Sequence, residues 1–181
     1  MLVVASANGS VGLVQAMEIL RRGGSAVDAV ETGICFVESN AADASVGIGG
    51  TPNLLGEVEL DASIMDGATL RSGAVAAVKG YEHPISIARQ VMERLPFVLL
   101  VGEGAEMFAA DLGFQKRDLW TEERLQNWQE RLRRVLTPEM LTQLIRRHGT
   151  IAAMEAVVEE VKRGHGTTNL IAMDDEGHIA A

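Results

Sequence analysis

Residues 11–38 read VGLVQAMEILRRGGSAVDAVETGICFVE, and no other stretch restricts the fold as much. Leu13, Val14, Met17 and Leu20 recur at helical spacing, which predicts an amphipathic helix. Two arginines suit its C-terminus, and Gly23-Gly24 stops it. Ser25 is placed to cap a second helix that ends near Glu38. Each of these tandem helices has an apolar face, and a hairpin of this kind needs a sheet to cover.

The sheet is also legible. The opening residues LVVAS have the look of a short buried strand. In LLGEVELDASIMDG, Val58, Leu60, Ala62 and Ile64 alternate with Glu57, Glu59, Asp61 and Ser63, the pattern of a half-buried strand or hairpin. SGAVAAVKG predicts the next strand, Pro84 opens a helix, and FVLLVGEGAEMFAADLGF predicts strand, glycine turn and helix. From Trp120 to Lys162 the chain is helical and charged, broken at Thr137-Pro138 and Gly149. NLIAM is the last long strand, followed by a DDEG turn and HIAA. SVGIGGTPN between the second helix and the strands is a loop. Strands here are joined by hairpins as often as by helices, which points to layered α+β structure rather than a regular βαβ array.

Composition narrows the function. The chain has 181 residues, 47% of them hydrophobic, enough for one core. A net charge of -9 disfavours nucleic acid as a partner. No apolar run approaches the roughly 20 residues of a membrane span, so no membrane role is expected, and the start shows no signal sequence. These features are read as cytoplasmic. The single cysteine, Cys35, lies in an apolar stretch and is expected to be a buried, inert thiol.

Several patterns lead away from cofactors. Gly102-x-Gly104 imitates a dinucleotide fingerprint, but its third glycine and the later acidic residue are missing. No two of His83, His148, His165 and His178 stand at i, i+3 or i, i+4, so a metal site is not expected. No organic cofactor is expected either.

The two HGT triplets differ instructively. Thr150 precedes a helical run and suits an N-cap. Thr167 precedes a strand with no helix to cap, behind the pair His165-Gly166, whose glycine tolerates unusual dihedrals. A threonine hydroxyl is a weak nucleophile unless a base activates it, and a free amine on the same residue can do so. That amine has a reference pKa of roughly 7.7–8.0. It exists only if the Gly166–Thr167 bond is cut.

The segments GGSAVDAVETGICFVE, SVGIGGTPNLLGEVELDASIMDG, GAVAAVKGYEHPISIARQVME, VLLVGEGAEMFA and GHGTTNLIAMDDEGHIAA, in this order, resemble the N-terminal-nucleophile hydrolases of the glycosylasparaginase and isoaspartyl peptidase (type 2 asparaginase) family. The resemblance covers most of the chain and is nearest to the bacterial glycosylasparaginases. It implies a four-layer αββα sandwich and a precursor that cuts itself before Thr167. Residues 1–166 would then be the α chain, and 167–181 the start of the β chain. Thr167 is the implied catalytic residue, with His165 and Gly166 serving the self-cutting step. Asn8 and Ser45 are the candidate substrate-binding residues, a turn role for Ser45 being the alternative.

The implied activity is hydrolysis of the side-chain amide of an asparagine derivative, a glycosylated asparagine first. Free asparagine or β-aspartyl dipeptides are the second reading, and a non-catalytic remnant that binds a partner is a third. The family assembles paired αβ units, which implies a homodimer of them. Two departures bear on the substrate. Gly166 replaces the Asp of glycosylasparaginases, as it does in the isoaspartyl peptidase branch. The loop ASANGS lacks the tryptophan that contacts a glycosylated substrate. The second threonine, the Arg and Asp for the substrate's α-carboxylate and α-amine, and the Thr-Gly oxyanion pair have no counterpart in these residues. The expectation is a truncated precursor that alone neither hydrolyses substrate nor cuts itself efficiently.

Overall fold

A computed structural model describes residues 1–145, 154, 157 and 167–181. In chain order its elements are β1 (Leu2–Ala5), a 3-10 turn (Ala7–Gly12), α1 (Leu13–Arg21), α2 (Ala26–Glu38), β2 (Glu59–Asp66), β3 (Arg71–Lys79), α3 (Pro84–Arg94), β4 (Leu99–Val101), α4 (Glu103–Asp111), α5 (Glu122–Val135), α6 (Pro138–Ile145), β5 (Leu170–Met173) and β6 (Ile179–Ala180). The strands form one sheet in the order β1-β5-β6-β2-β3-β4. The β3–β4 pair is parallel, joined through α3, and the other pairs are antiparallel. The layered α+β expectation holds at this level.

The helical hairpin is built as its sequence predicts. Past α1, Gly23 takes φ +79° and its N–H reaches the Leu20 carbonyl, while the Gly24 N–H reaches that of Ile19. Those two bonds are the Schellman pattern, which satisfies carbonyls the helix end would otherwise leave open. Ser25 then starts α2 with a reciprocal box. Its hydroxyl accepts the Asp28 N–H at 3.1 Å, and the Asp28 carboxylate accepts the Ser25 N–H at 3.2 Å.

The main core lies between this hairpin, α3 and one face of the sheet. It holds Leu20, Val30, Ile64, Val75, Ile87 and Leu170, with α4 contributing Ala105 and Ala109. Gly33 sets how closely α2 approaches β5. A Cβ there would sit 2.6 Å from the Leu170 Cδ1. Helices α5 and α6 form a smaller cluster of their own around Leu132, Leu136 and Leu144.

The opposite face of the sheet is bare among the described residues. Leu2, Val4, Met65, Leu99, Ile171 and Ile179 project from it and are 43–55% exposed. The register explains the split. Val4 pairs with Ile171 on the bare face, and Val3 pairs with Ala172 on the covered one.

Three expectations change. The ASANGS loop winds into the 3-10 turn, so α1 begins at Leu13. The strand in FVLLV shrinks to Leu99–Val101, which makes β4 a short edge. Cys35 is only partly buried, because it stands near the end of α2 where the core thins. Thr150 and the break at Gly149 fall outside the described residues. No described helix is long and apolar enough to cross a membrane.

Candidate active site

Thr167, Thr168 and Asn169 lead into β5, and Ser6, the residue after β1, binds Asn169 and touches Thr168. The β1–β5 register ends at Ala5 opposite Leu170, which brings Ser6 opposite Asn169. The Ser6 N–H donates to the Asn169 carbonyl at 3.0 Å. Its own carbonyl is already taken by the Gly9 N–H, because the chain turns into the 3-10 segment there. The Ser6 hydroxyl therefore supplies the missing acceptor and receives the Asn169 N–H at 3.0 Å. A serine at this position extends the ladder by one bond after the strand has ended.

That hydroxyl has one proton, which goes to the Asn8 Oδ1 at 2.7 Å. The contact of Ser6 Oγ with Thr168 Oγ1, 3.4 Å, is then donated by Thr168. From Asn8 the network continues outward. The Nδ2 donates to Asp43 Oδ2 at 2.9 Å and to Ser45 Oγ at 3.2 Å. Ser45 donates its N–H and its hydroxyl to Asp43 Oδ1, at 2.8 and 2.6 Å. Burial pushes the Asp43 carboxyl up, but the Ser45 and Asn8 hydrogen bonds and the Arg124 charge outweigh it and hold the group below its usual value. These bonds fix the direction of the Asn8 amide, its oxygen toward a hydroxyl donor and its nitrogen toward a carboxylate.

Beside this network lies a cleft of about 570 Å³. Thr167, exposed, and Thr168, Asn169 and Leu170 form one wall, and residues 59–63 of β2 with 74–76 of β3 form the other. Ser45, Val46 and Gly47 close one end. Ala180 pairs with Asp66, and Ala181 exchanges backbone bonds with Met65. The earlier half of β2 therefore faces the approach to β5 with no described strand between them.

A bulge shapes the β2–β3 wall. Ala62 pairs with Val75 and Leu60 with Val78, so Ala76 and Ala77 together face Asp61. Ala77 has φ +53°, and its N–H is taken by Asp61 Oδ1 at 2.7 Å. Gly47 matters on the other side. Its φ is +63°, and a Cβ would lie 1.9 Å from the Glu38 carbonyl, so only glycine lets the loop fold onto the end of α2.

Glu38 also lines the cleft, and 3% of it is exposed. Its Oε1 accepts the Ile85 N–H at 3.2 Å, and its Oε2 lies 3.3 Å from His83 Nδ1. Burial drives its carboxyl well above the ordinary range, opposed by His83. The Cys35 sulfur and the Glu38 carboxylate raise the His83 imidazole well above its ordinary value.

The structure thus brings Thr167 and Ser45 to one cleft and joins Asn8 to Ser45. His165 and Gly166 lie outside the described residues. Sequence reading missed Ser6, Asp43 and Glu38. The Asp43-x-Ser45 spacing was a usable signal, since aspartate readily takes the backbone N–H two residues on. Nothing in the sequence announced the hydroxyl of Ser6 as a ladder partner.

A family model described as Asparaginase matches residues 10–181. An N(4)-(Beta-N-acetylglucosaminyl)-L-asparaginase of Elizabethkingia miricola is 39% identical over 166 residues, covering 92% of this chain and 48% of that protein. A plant-type L-asparaginase of Pyrococcus abyssi is 44% identical over 154 residues, covering 80% of this chain and 50% of that protein. An isoaspartyl peptidase/L-asparaginase of Rattus norvegicus is 38% identical over 166 residues, covering 90% and 44%. The chain spans about half the length of the curated relatives it matches. By the extent of the family match and these identities, the chain belongs to the asparaginase family that includes glycosylasparaginases, plant-type asparaginases and isoaspartyl peptidases.

Proposed function

We propose that this chain carries the nucleophile of an amidohydrolase acting on the side-chain amide of asparagine derivatives, and that the nucleophile is Thr167 at a newly made N-terminus. The observation that carries the reading is the placement of Thr167. It is exposed, it borders a cleft shared with Ser45, and Ser6 just past β1 holds Asn169, two residues on, by backbone and hydroxyl bonds and touches the Thr168 hydroxyl. A reacting group must be held in this way to gain from proximity.

In self-cutting, the Thr167 hydroxyl attacks the Gly166 carbonyl. The C–N bond gives way to an ester, and the hydroxyl proton ends on the freed amine. Water then hydrolyses the ester, which leaves a Gly166 carboxylate and a Thr167 amine. In turnover the same hydroxyl passes its proton to that amine and attacks the substrate's side-chain carbonyl. Ammonia or a glycosylamine leaves with the proton, and water releases aspartate from the acyl ester. One well-placed donor to the oxyanion is worth about 2.7–4 kcal/mol in comparable sites. No metal or organic cofactor enters this scheme.

Residues 1–166 are then the α chain, and 167 onward belongs to the β chain. The apolar bare face of the sheet supports a second sheet packed on it in the whole protein, as an αββα sandwich would have. Pairing of αβ units into a dimer follows from the family resemblance. A glycosylated asparagine is the first reading of the substrate, in keeping with the Elizabethkingia relative's name. A specific observation favours the second, free asparagine or β-aspartyl dipeptides. Where an aromatic ring would meet a sugar-bearing substrate, Ser6 and Asn8 spend their polar groups on each other and on Asp43.

Mass spectrometry of the full-length protein tests the nucleophile. Two pieces are expected, the second beginning at Thr167, and Thr167→Ala should leave one intact chain. An intact wild-type chain, unchanged by the substitution, would support the partner-binding remnant instead. Assays with glycosylasparagine, asparagine and a β-aspartyl dipeptide separate the substrates.

A further inference from the structure

We propose that Cys35, Glu38 and His83 bind a divalent transition-metal cation of the zinc type, at the joint between α2 and α3. The sulfur of Cys35, a carboxylate oxygen of Glu38 and a ring nitrogen of His83 all lie within 4.8 Å of one another. Cys35 and Glu38 stand three residues apart near the C-terminus of α2 and so share a face. His83 immediately precedes α3, and its Nδ1 is 3.3 Å from Glu38 Oε2. Around a tetrahedral zinc ion, neighbouring ligand atoms are separated by about 3.3–3.6 Å. The histidine–glutamate pair already has that spacing, and from a separation of at most 4.8 Å the sulfur has to come in by no more than about 1.5 Å.

The donor set fits this class of ion. A thiolate and a carboxylate carry two negative charges, which a divalent cation neutralises in a partly buried place. Sulfur and imidazole select zinc-like metals, whereas calcium and magnesium require oxygen ligands. Scanning the sequence for helical ligand pairs does not find the group, because its members come from two elements 45 residues apart.

Polar neighbours surround each member. Glu82 Oε1 stands 3.8 Å from His83 Nε2, longer than a hydrogen bond, and on metal binding it closes to the carboxylate–histidine arrangement that orients a ligating ring. Glu82 is itself held by the Ser39 hydroxyl at 2.7 Å and by Arg117. The second oxygen of Glu38 accepts the Ile85 N–H, and the Ser86 hydroxyl lies 3.5 Å from the Cys35 sulfur. The His83 side chain is 32% exposed, which leaves an entry path and room for a water as the fourth ligand. Since the Ile48 N–H binds the Glu38 carbonyl, a metal here also braces the loop that ends the cleft.

The test uses full-length, untagged, reduced protein freed of metal by chelator dialysis and titrated with Co²⁺. Cys35→Ser assigns the signal: a thiolate-to-cobalt charge-transfer band from this site must vanish in that variant. The expected result is a band that saturates at equimolar cobalt and is bleached by Zn²⁺, with Zn²⁺ protecting Cys35 from alkylation. His83→Gln should abolish the band. Glu82→Gln should keep it while weakening affinity about 10–100-fold. The proposal is overturned if folded wild type gives no band and Zn²⁺ leaves Cys35 alkylation unchanged, or if the band survives His83→Gln unaltered. Wild-type protection needs no variant, so a misfolded mutant does not rescue the idea, and none of these readouts depends on hydrolytic activity.

Discussion

The two faces of the sheet carry similar apolar side chains and opposite environments. On one face Leu170 and Ala172 of β5 lie against α2, at 1% and 0% exposure. On the other, Ile171 between them is 43% exposed, in line with Val4 across the register. The alternation along a strand is the same in both directions. What differs is whether a helix has been folded back to cover it. The covered face holds β5 in position, and Thr167 at the head of that strand depends on this anchorage although it belongs to no core.

Substitutions can break that contrast. Leu170→Ala should have the largest effect, about 2–5 kcal/mol lost, because it opens a cavity under α2 at the Gly33 contact. A denaturant titration checks it, and a loss below 1 kcal/mol would mean the covered face is not what holds β5. Asp43→Asn should cost about 1 kcal/mol at neutral pH by weakening bonds accepted from Ser45 and Asn8. Its pH dependence sharpens the point. The folded Asp43 carboxyl ionises at lower pH than an unfolded one, so its contribution is complete above about pH 4. It is lost as pH falls through the lower folded value. The difference between wild type and Asp43→Asn should therefore shrink on acidification, and a gap that widens would refute the assignment. Ile171→Thr on the bare face should stay within about 0.5 kcal/mol in the isolated chain. A much larger cost would show that this face is covered after all.

Much of the fold was legible because it rests on local rules. Gly23-Gly24 and Ser25 delimit α1 and α2 by backbone geometry and capping that involve only near neighbours. The alternation in β2 and β3 shows which side chains turn inward, and Thr167 stood out because no helix follows it. The site network was less visible. Ser6 became a ladder partner only because its own carbonyl is used by a turn, and that exchange requires knowing that β1 lies beside β5. Glu38 was expected merely to end α2. It is buried because the Gly47 loop and the start of α3 close over it.

The amino-acid sequence by itself determined the helices, the strands, the acidic charge, the family and the threonine to watch, since each depends on spacing within a few residues or on matching segments in order. Tertiary structure alone decided that Asn8, Asp43 and Ser45 meet beside that threonine and that Cys35, Glu38 and His83 meet at a helix joint. The reason is physical. Hydrogen bonds and ligand geometry act over about 3 Å, and only the packing of helices on a sheet brings residues 35 or 45 positions apart within that range.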